Sequence, residues 1–561
     1  MKHEIIDIVQ AALKRLEKQW ELPEGIPKFR DIEVEIPRNE SLGDITTTLA
    51  MSLAKTLKKP PREIAQDIVN AVKASGRDGI FEKIEVAGAG FINFTFKKEY
   101  LYNSFERLLK EEYSFLRVNI GSGRKVQIEF VSANPTGPLH IGHGRGAAVG
   151  NALSNILQAA GYKVQKEYYI NDAGVQVRML GQSVYARYQQ MLGNDIKFPE
   201  NGYHGAYIES IAEEIIKNAG NKYLGTSFDE CGNFFMKFAY KKMLAQIAND
   251  LRDFGVAFDR WQSEKELYEK GDVEDSLAVL RQMGLLYKQD DALWFASAKF
   301  GDDKDRVVVK KDGEYTYFAS DIAYHKDKLD RKFDTIIDIW GADHHGYIPR
   351  LRSVLKAFGL PEKKFKVILI QMVSLLRHGK LVQMSKRSGE FITLREVIEE
   401  VGADTAKFIF LTRRADSHLD FDIDIAKEQS AENPVFYVQY AFARIVSIFR
   451  QAEEKGVQGF KGLRVQGVEL LFLKEAEEIS IIKKLLQYPM LFEGAALSFE
   501  PHRITFYLQE LAKLFHSYYN KHRVITDNEV LTSARLCLCR AVQAVLEEGL
   551  KMLGVSAPER M

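Results

Sequence analysis

Two histidines three positions apart, His140 and His143, stand within residues 129–146 (EFVSANPTGPLHIGHGRG), where a loop gives way to a helical pattern. In the first turn of a helix, residues i and i+3 share one face. Such a turn carries free N–H groups and the positive end of the helix dipole, a combination that suits a triphosphate. Gly142 and Gly144 remove side chains where a flat base or a phosphate would approach the backbone. An isolated His-x-x-His pair is more often structural, or a weak metal site. Here the pair follows a strand and opens a helix, and ligands collect at the carboxyl ends of parallel strands.

The elements that must position this pair are legible around it. Residues 125–131 (KVQIEFV) read as a strand, 144–160 as a helix and 163–170 (KVQKEYYI) as a second strand. Strand, loop, helix and strand in this order form a βαβ unit, the seed of a doubly wound parallel sheet. Residues 335–339 and 367–370 read as later strands of that sheet, and a long, mainly helical segment, about 173–290, as an insertion into it.

Upstream, Ile5, Ile8, Ala12 and Leu16 recur at helical spacing. Ile32, Val34 and Ile36 alternate with Glu33 and Glu35 as a half-buried strand would. Pro60-Pro61 introduce a second helix bearing Ile64, Ile68 and Val72, and residues 88–96 (GAGFINFTF) read as a turn and a strand. Beyond about residue 430 the pattern is helical, broken by a loop around 456–467. The expected architecture is an α/β chain in three parts: an N-terminal α+β domain (1–115), a Rossmann-like parallel-sheet domain with a helical insertion (116–429) and a C-terminal all-α bundle (430–561).

Composition narrows the classes. A chain of 561 residues that is 46% hydrophobic and 28% charged is too apolar for intrinsic disorder. Its net charge of +1 excludes a strongly cationic nucleic-acid binder but not a local basic groove. Acidic and basic residues nearly balance in the C-terminal part, so charge alone does not announce RNA binding there. The three cysteines, Cys231, Cys537 and Cys539, exclude a disulfide scaffold and suit a reducing compartment. Cys537-x-Cys539 lies in a helical pattern that points the two thiols apart, so no zinc site is expected. Glu4, Asp7 and Lys14 interrupt the first residues, unlike the apolar core of a signal peptide. The strongest apolar run, near 367–376, contains Gln371 and falls short of the roughly 18 residues of a membrane span. A cytoplasmic protein is expected.

The motif His140-Ile141-Gly142-His143 resembles the HIGH signature of class I aminoacyl-tRNA synthetases, and the longer string ANPTGPLHIGHGRGAAVG resembles its arginyl-tRNA synthetase form. Met384-Ser385-Lys386-Arg387-Ser388 resembles the second signature, KMSKS, with Gln383 at its first lysine. Residues 171–174 (NDAG), 341–346 (GADHHG), 433–440 (NPVFYVQY) and 553–561 (LGVSAPERM) also resemble that family.

The resemblance implies activation of L-arginine by ATP and transfer to tRNA(Arg). Its first step builds negative charge at phosphorus, which preorganised cations and N–H donors stabilise. His140, His143 and Lys386 would be catalytic, with Mg²⁺ on the ATP phosphates and no tightly bound metal of the protein. Ala133, Asn134, Pro135, Thr136, Gly137, Pro138, Leu139, Ile141, Gly142 and Gly144, with Met384, Ser385, Arg387 and Ser388, would surround ATP.

A guanidinium is matched by carboxylates. Tyr317 and Asp321, four apart, share a face if helical. The resemblance implies that Asp321, Tyr317 and Glu129 hold the guanidinium, while Asn134 and His344 meet the other end of arginine. Tyr440 and Met561 would be stacking or packing positions of a tRNA-binding region, and a monomer is implied. A different class I synthetase or a nucleotidylyltransferase would share both signatures without the Asp321 and Tyr317 pocket. An RNA-binding scaffold would have no need of His140, His143 and Lys386.

Overall fold

The structure, a computed structural model, describes residues 1–20, 32–37, 39–110, 112–382, 392–457 and 469–561. Gln383 and the second signature, Met384 to Ser388 with Lys386, lie outside the described residues. No helix among those described is long and apolar enough to cross a membrane.

The N-terminal part packs the helix Lys2–Trp20 against the helix Pro61–Ala74, with Ile5, Val9 and Ala12 facing Ile64, Ile68 and Val72 in one core. Pro61 occupies the first turn, where its missing N–H costs nothing. Strands β1 (Ile45–Thr47), β2 (Phe81–Ala87) and β3 (Phe91–Phe96) form an antiparallel sheet in the order β1-β3-β2. The alternation at 32–36 does bury Ile32 and Val34, but it makes only one bridge, Glu35 to Thr46, and no strand.

The central sheet is entirely parallel. Its strands are β4 (Lys125–Glu129), β5 (Lys163–Ile170), β6 (Arg260–Ser263) and, after an excursion of three short antiparallel strands, β7 (Leu286–Gln289), β8 (Ala292–Phe295) and β9 (Arg306–Val309), the pair β10 (Thr335–Gly341) and β11 (Phe365–Ile370). The order β11-β10-β4-β5-β6 is the doubly wound arrangement, whose direction reverses beside its first strand. β6 lies within the segment read as a helical insertion. Helices Val175–Met191, Ala206–Ala219 and Phe228–Asp253 do form a separate hydrophobic cluster there. The insertion nevertheless returns the chain to the sheet at Arg260, because a four-residue edge strand (RWQS) has too little alternation to be seen.

After β11, β12 (Val373–Arg377), β13 (Lys380–Leu381) and β14 (Leu419–Asp422) form a small mixed sheet, ordered β13-β12-β14. The chain closes with the helices Pro434–Glu454, Ala476–Ser498, His502–Lys521 and Glu529–Met552. Cys537 and Cys539 are buried, unpaired thiols in the last of these.

Candidate active site

The functional candidates leave the carboxyl ends of the parallel strands. β4 ends at Glu129, and the chain turns through Val131 and Ser132 with φ of 70° and 39°. A left-handed conformation at two consecutive non-glycine residues, one of them β-branched, costs about 1–3 kcal/mol each and persists only where its surroundings impose it. Here the Ser132 hydroxyl donates to Glu129 Oε1 (2.9 Å) and accepts from the Tyr169 N–H (3.1 Å). The loop that follows is held by two tyrosines. Tyr168 donates to the Ala133 carbonyl (2.8 Å), and Tyr207, from the insertion, donates to the Thr136 carbonyl (2.9 Å).

His140 caps the helix Ile141–Ala159. Its Nδ1 accepts from the Gly142 N–H (3.1 Å), and His143 Nδ1 accepts from the His140 N–H (3.2 Å). The two rings stack with centroids 3.7 Å apart. A neutral imidazole that accepts at Nδ1 carries its proton at Nε2, so each ring has a donor suited to a phosphate oxygen.

This differs in one respect from the expected site. The first N–H groups of the helix are engaged: Ile141 with the Ile392 carbonyl (3.3 Å), Gly142 with His140 Nδ1 and His143 with the His140 carbonyl (2.9 Å). These backbone N–H groups are thus bonded within the chain, with both imidazole rings beside them. The glycines answer protein packing too. A Cβ at Gly142 would lie 3.0 Å from the His140 ring, and one at Gly144 would lie 2.7 Å from Leu394.

Residues 392–394, on the far side of the second signature, pair directly with the first. Thr393 bridges His140, and the Leu394 N–H donates to the Leu139 carbonyl (2.7 Å). A second tie is Arg145. Its fully buried guanidinium donates to the carbonyls of Gln371 (2.9 Å), Arg414 (2.8 Å) and Ser417 (2.8 Å). These carbonyls precede β12 and β14, so the helix of the first signature is locked to the small sheet. Burial pulls the Arg145 guanidinium down to about 10, against the pull of Asp416.

The acidic residues form two groups. In the first, the buried ammonium of Lys328 donates to Glu129 Oε2 (2.6 Å) and to Asp338 Oδ1 (2.8 Å), and His325 Nε2 meets Asp338 Oδ2 (3.0 Å). Burial raises the Glu129 carboxyl, and Lys328 only partly opposes it. Burial also works on Asp338, but Lys328 and His325 outweigh it and hold that carboxyl below its ordinary value.

In the second group, Tyr317 and Asp321 do lie on one helix, Tyr317–Asp330. Tyr317 is 59% exposed at its start, and the Tyr347 hydroxyl donates to Asp321. Burial raises the Asp321 carboxyl despite that bond. Beside it stands Glu264, the first residue after β6, which the sequence reading missed. Its Oε1 accepts from Ser320 (2.7 Å), while its buried Oε2 has no hydrogen-bond partner. Burial pushes the Glu264 carboxyl up to about 7; Ser320 opposes this, and Asp321 and Asp172 add to it. Neither Glu264 nor Asp321 forms an ion pair among the described residues. His344 and Asn134 are exposed near this end of the sheet, on the turn after β10 and the loop after β4. Among the described residues no group of three or more His, Cys, Asp or Glu is placed to hold a metal ion.

Comparison with known proteins fits this geometry. Residues 105–419 match the family described as tRNA synthetases class I (R), catalytic domain. Residues 3–96 match the arginyl tRNA synthetase N terminal domain, and 438–561 the DALR anticodon binding domain. The chain is 49% identical over 562 residues to an arginine–tRNA ligase of Syntrophotalea carbinolica, covering 100% of both chains. It is 51% identical over 531 residues to one of Citrifermentans bemidjiense, covering 94% of this chain and 95% of that one. The chain belongs to the arginyl-tRNA synthetases. The fold is shared with the Thermus thermophilus arginyl-tRNA synthetase, at a TM-score of 0.75 and 22% identity over 99% of both chains.

In this arginyl-tRNA synthetase, Tyr440 and Met561 are surface residues, 38% and 52% exposed. The Arg444 guanidinium donates to the Tyr440 hydroxyl (2.9 Å) and lies 4.5 Å from the Tyr440 ring and 4.6 Å from that of Tyr519. Two signals could have exposed the missed residues. Ser263, followed by Glu266, marks a helix start directly behind a strand. Asp321, His325 and Lys328 repeat at i, i+4 and i+7, so one stripe of a buried helix is charged.

Proposed function

We propose that the chain is an arginine–tRNA ligase of protein synthesis. The L-arginine carboxylate attacks the α-phosphorus of ATP and pyrophosphate leaves. The 3'-terminal adenosine hydroxyl of tRNA(Arg) then attacks the adenylate carbonyl and AMP leaves. ATP enters as its Mg²⁺ complex. His140 and His143 donate to phosphate oxygens through Nε2 and Lys386 adds an ammonium, so developing charge meets prepared donors. The loop from Ala133 to Leu139 and the second signature flank the nucleotide.

Glu264 and Asp321 bracket the guanidinium, with Tyr317 beside them and His344 and Asn134 toward the α-amino and carboxylate end. Glu129 adds negative potential from the end of β4, because Lys328 and Ser132 already engage its oxygens. The observation that carries the reading is the buried, unpartnered Glu264 Oε2 next to Asp321. A buried and a half-buried carboxylate that form no ion pair among the described residues favour a cationic ligand with several N–H donors. Such a polar site can reject substrates lacking the matching group by roughly 10⁴–10⁵ without editing.

The reading extends to a division at 1–115, 116–429 and 430–561, tRNA contacts at Tyr440 and Met561, a monomer and a cytoplasmic location. The test is arginine-dependent exchange of pyrophosphate into ATP, with and without tRNA, followed by charging of tRNA with each of the twenty amino acids. Arginine alone is expected to charge. Charging by lysine or glutamate instead would reject the pocket. Lys386→Ala is expected to lower kcat far more than it raises the KM for arginine.

A further inference from the structure

The loop 171–174 leaves the carboxyl end of β5 and has no part in the function proposed above. Its Asp172 carboxylate gathers donors from three directions. The Ser263 hydroxyl lies 2.9 and 2.8 Å from its two oxygens, and the Lys265 N–H donates to Oδ1 (2.9 Å). The Tyr240 hydroxyl donates to Oδ2 (2.9 Å) from the insertion helix Phe228–Asp253. Ser263 and Lys265 are the two neighbours of Glu264. Ser263 also accepts from the Glu266 N–H (3.2 Å), which starts the short helix Glu264–Glu269. Gly174, in the same loop, backs onto Tyr317: a Cβ there would lie 3.3 Å from the Tyr317 hydroxyl.

The Glu264 side chain is held at one oxygen only, by Ser320. Its backbone is clamped on both sides by one carboxylate. Fork-to-fork pairing of a guanidinium with a carboxylate tolerates little displacement, and a misplacement of about 1 Å costs on the order of 10²-fold. We propose that Asp172 is a positioning residue for arginine recognition: it clamps the chain on either side of Glu264, aims the unpartnered carboxylate oxygen at the guanidinium, and is itself tied to the insertion by Tyr240. The inference rests on Glu264 being a guanidinium partner. Asp172 acts through Glu264, so its effect vanishes when Glu264 no longer carries a charge.

The experiment measures KM and kcat for arginine, and KM for ATP, in tRNA charging by the full-length enzyme. The variants are Asp172→Ala, Tyr240→Phe, Glu264→Gln and the double variant Asp172→Ala/Glu264→Gln. Asp172→Ala is expected to raise the arginine KM by roughly 10-fold to 100-fold, with kcat and the ATP KM near wild type. Tyr240→Phe is expected to move the arginine KM in the same direction by a smaller factor. The double variant is expected to match Glu264→Gln alone, since two groups acting through one contact are not additive. If Glu264→Gln leaves the arginine KM unchanged, the reading of Glu264 fails. If Glu264→Gln raises it while Asp172→Ala does not, or if the two factors multiply, Asp172 is not a positioning residue and the reading of Glu264 stands. Should Asp172→Ala fail to fold, Tyr240→Phe decides, because it keeps the ring and removes one hydroxyl. An unchanged arginine KM in that variant overturns the proposal.

Discussion

Four carboxylates stand at one end of the parallel sheet, and the chain treats them in two ways. Glu129 and Asp338 share the ammonium of Lys328 at 2.6 and 2.8 Å. Glu264 and Asp321 receive only hydroxyls, from Ser320 and Tyr347, and pair with no cation among the described residues. A hydroxyl satisfies an acceptor without neutralising it, so burial wins at both: Glu264 rises to about 7, and Asp321 rises although Tyr347 and, without an ion pair, His325, Lys328 and Arg350 oppose it. Asp338, with its own cation and His325, is held low despite deeper burial. Glu129 still rises, because burial and the neighbouring Asp338 outweigh the Lys328 ammonium the two carboxylates share. Where the protein pairs the carboxylates with a cation, the ionic group is structure. Where it leaves them unpaired, the function proposed above has the arginine guanidinium supply the charge.

The distinction can be broken most directly at Lys328. Lys328→Met keeps the length of the side chain but strands two buried carboxylates, so the unfolding free energy is expected to drop by about 3–5 kcal/mol in denaturant titration. A fully stable Lys328→Met enzyme that had lost arginine binding would move this cluster into the substrate site and erase the contrast. Next in size are Glu264→Gln and Asp321→Asn, each expected to raise the arginine KM by roughly 10²-fold with the ATP KM unchanged. An effect within a factor of two would place the guanidinium elsewhere.

Acidity sharpens the contrast further. Glu264 faces Asp321, Asp172, Tyr169, Tyr268 and Ser320, and its carboxyl titrates near 7 rather than at the ordinary 4.5. Arginine binds the ionised form, so its affinity, by calorimetry, should be level above pH 7 and weaken by about tenfold per pH unit below it. Glu264→Gln should flatten that slope. Without arginine the sign reverses. The folded protein holds this proton more tightly than the unfolded chain, so stability falls as pH rises from about 4.5 to 7. Glu264→Gln should therefore melt higher than wild type at pH 8 and lose that advantage by pH 5. The smallest effect belongs to Ser132→Ala, which removes a hydroxyl bonded to Glu129 and to the Tyr169 N–H while Lys328 still holds Glu129. It should cost about 1 kcal/mol of stability and leave the arginine KM nearly unchanged.

Local periodicity carried much of the fold. β5 coincides with the run 163–170, and the helix read over 144–160 begins at Ile141, inside the first signature. Pro61 at a first turn and the helical setting of the free thiols Cys537 and Cys539 were equally plain. β6 escaped because four residues cannot display a period, and with it escaped Glu264, which stands where that strand ends. Tyr317 and Asp321 were legible as a pair on one helical face. The imidazole tautomers at His140 and His143 were not, because they depend on which backbone N–H each Nδ1 meets.

Read alone, the chain specified its signatures, the βαβ unit that carries the first of them, and two candidate carboxylates, Glu129 and Asp321. Only the tertiary structure decided which of those carboxylates would keep a cation. Lys328 reaches Glu129 across 199 positions, and Ser320 reaches Glu264 across 56. Periodicity reports the geometry of neighbours in sequence, whereas charge pairing and burial act through space.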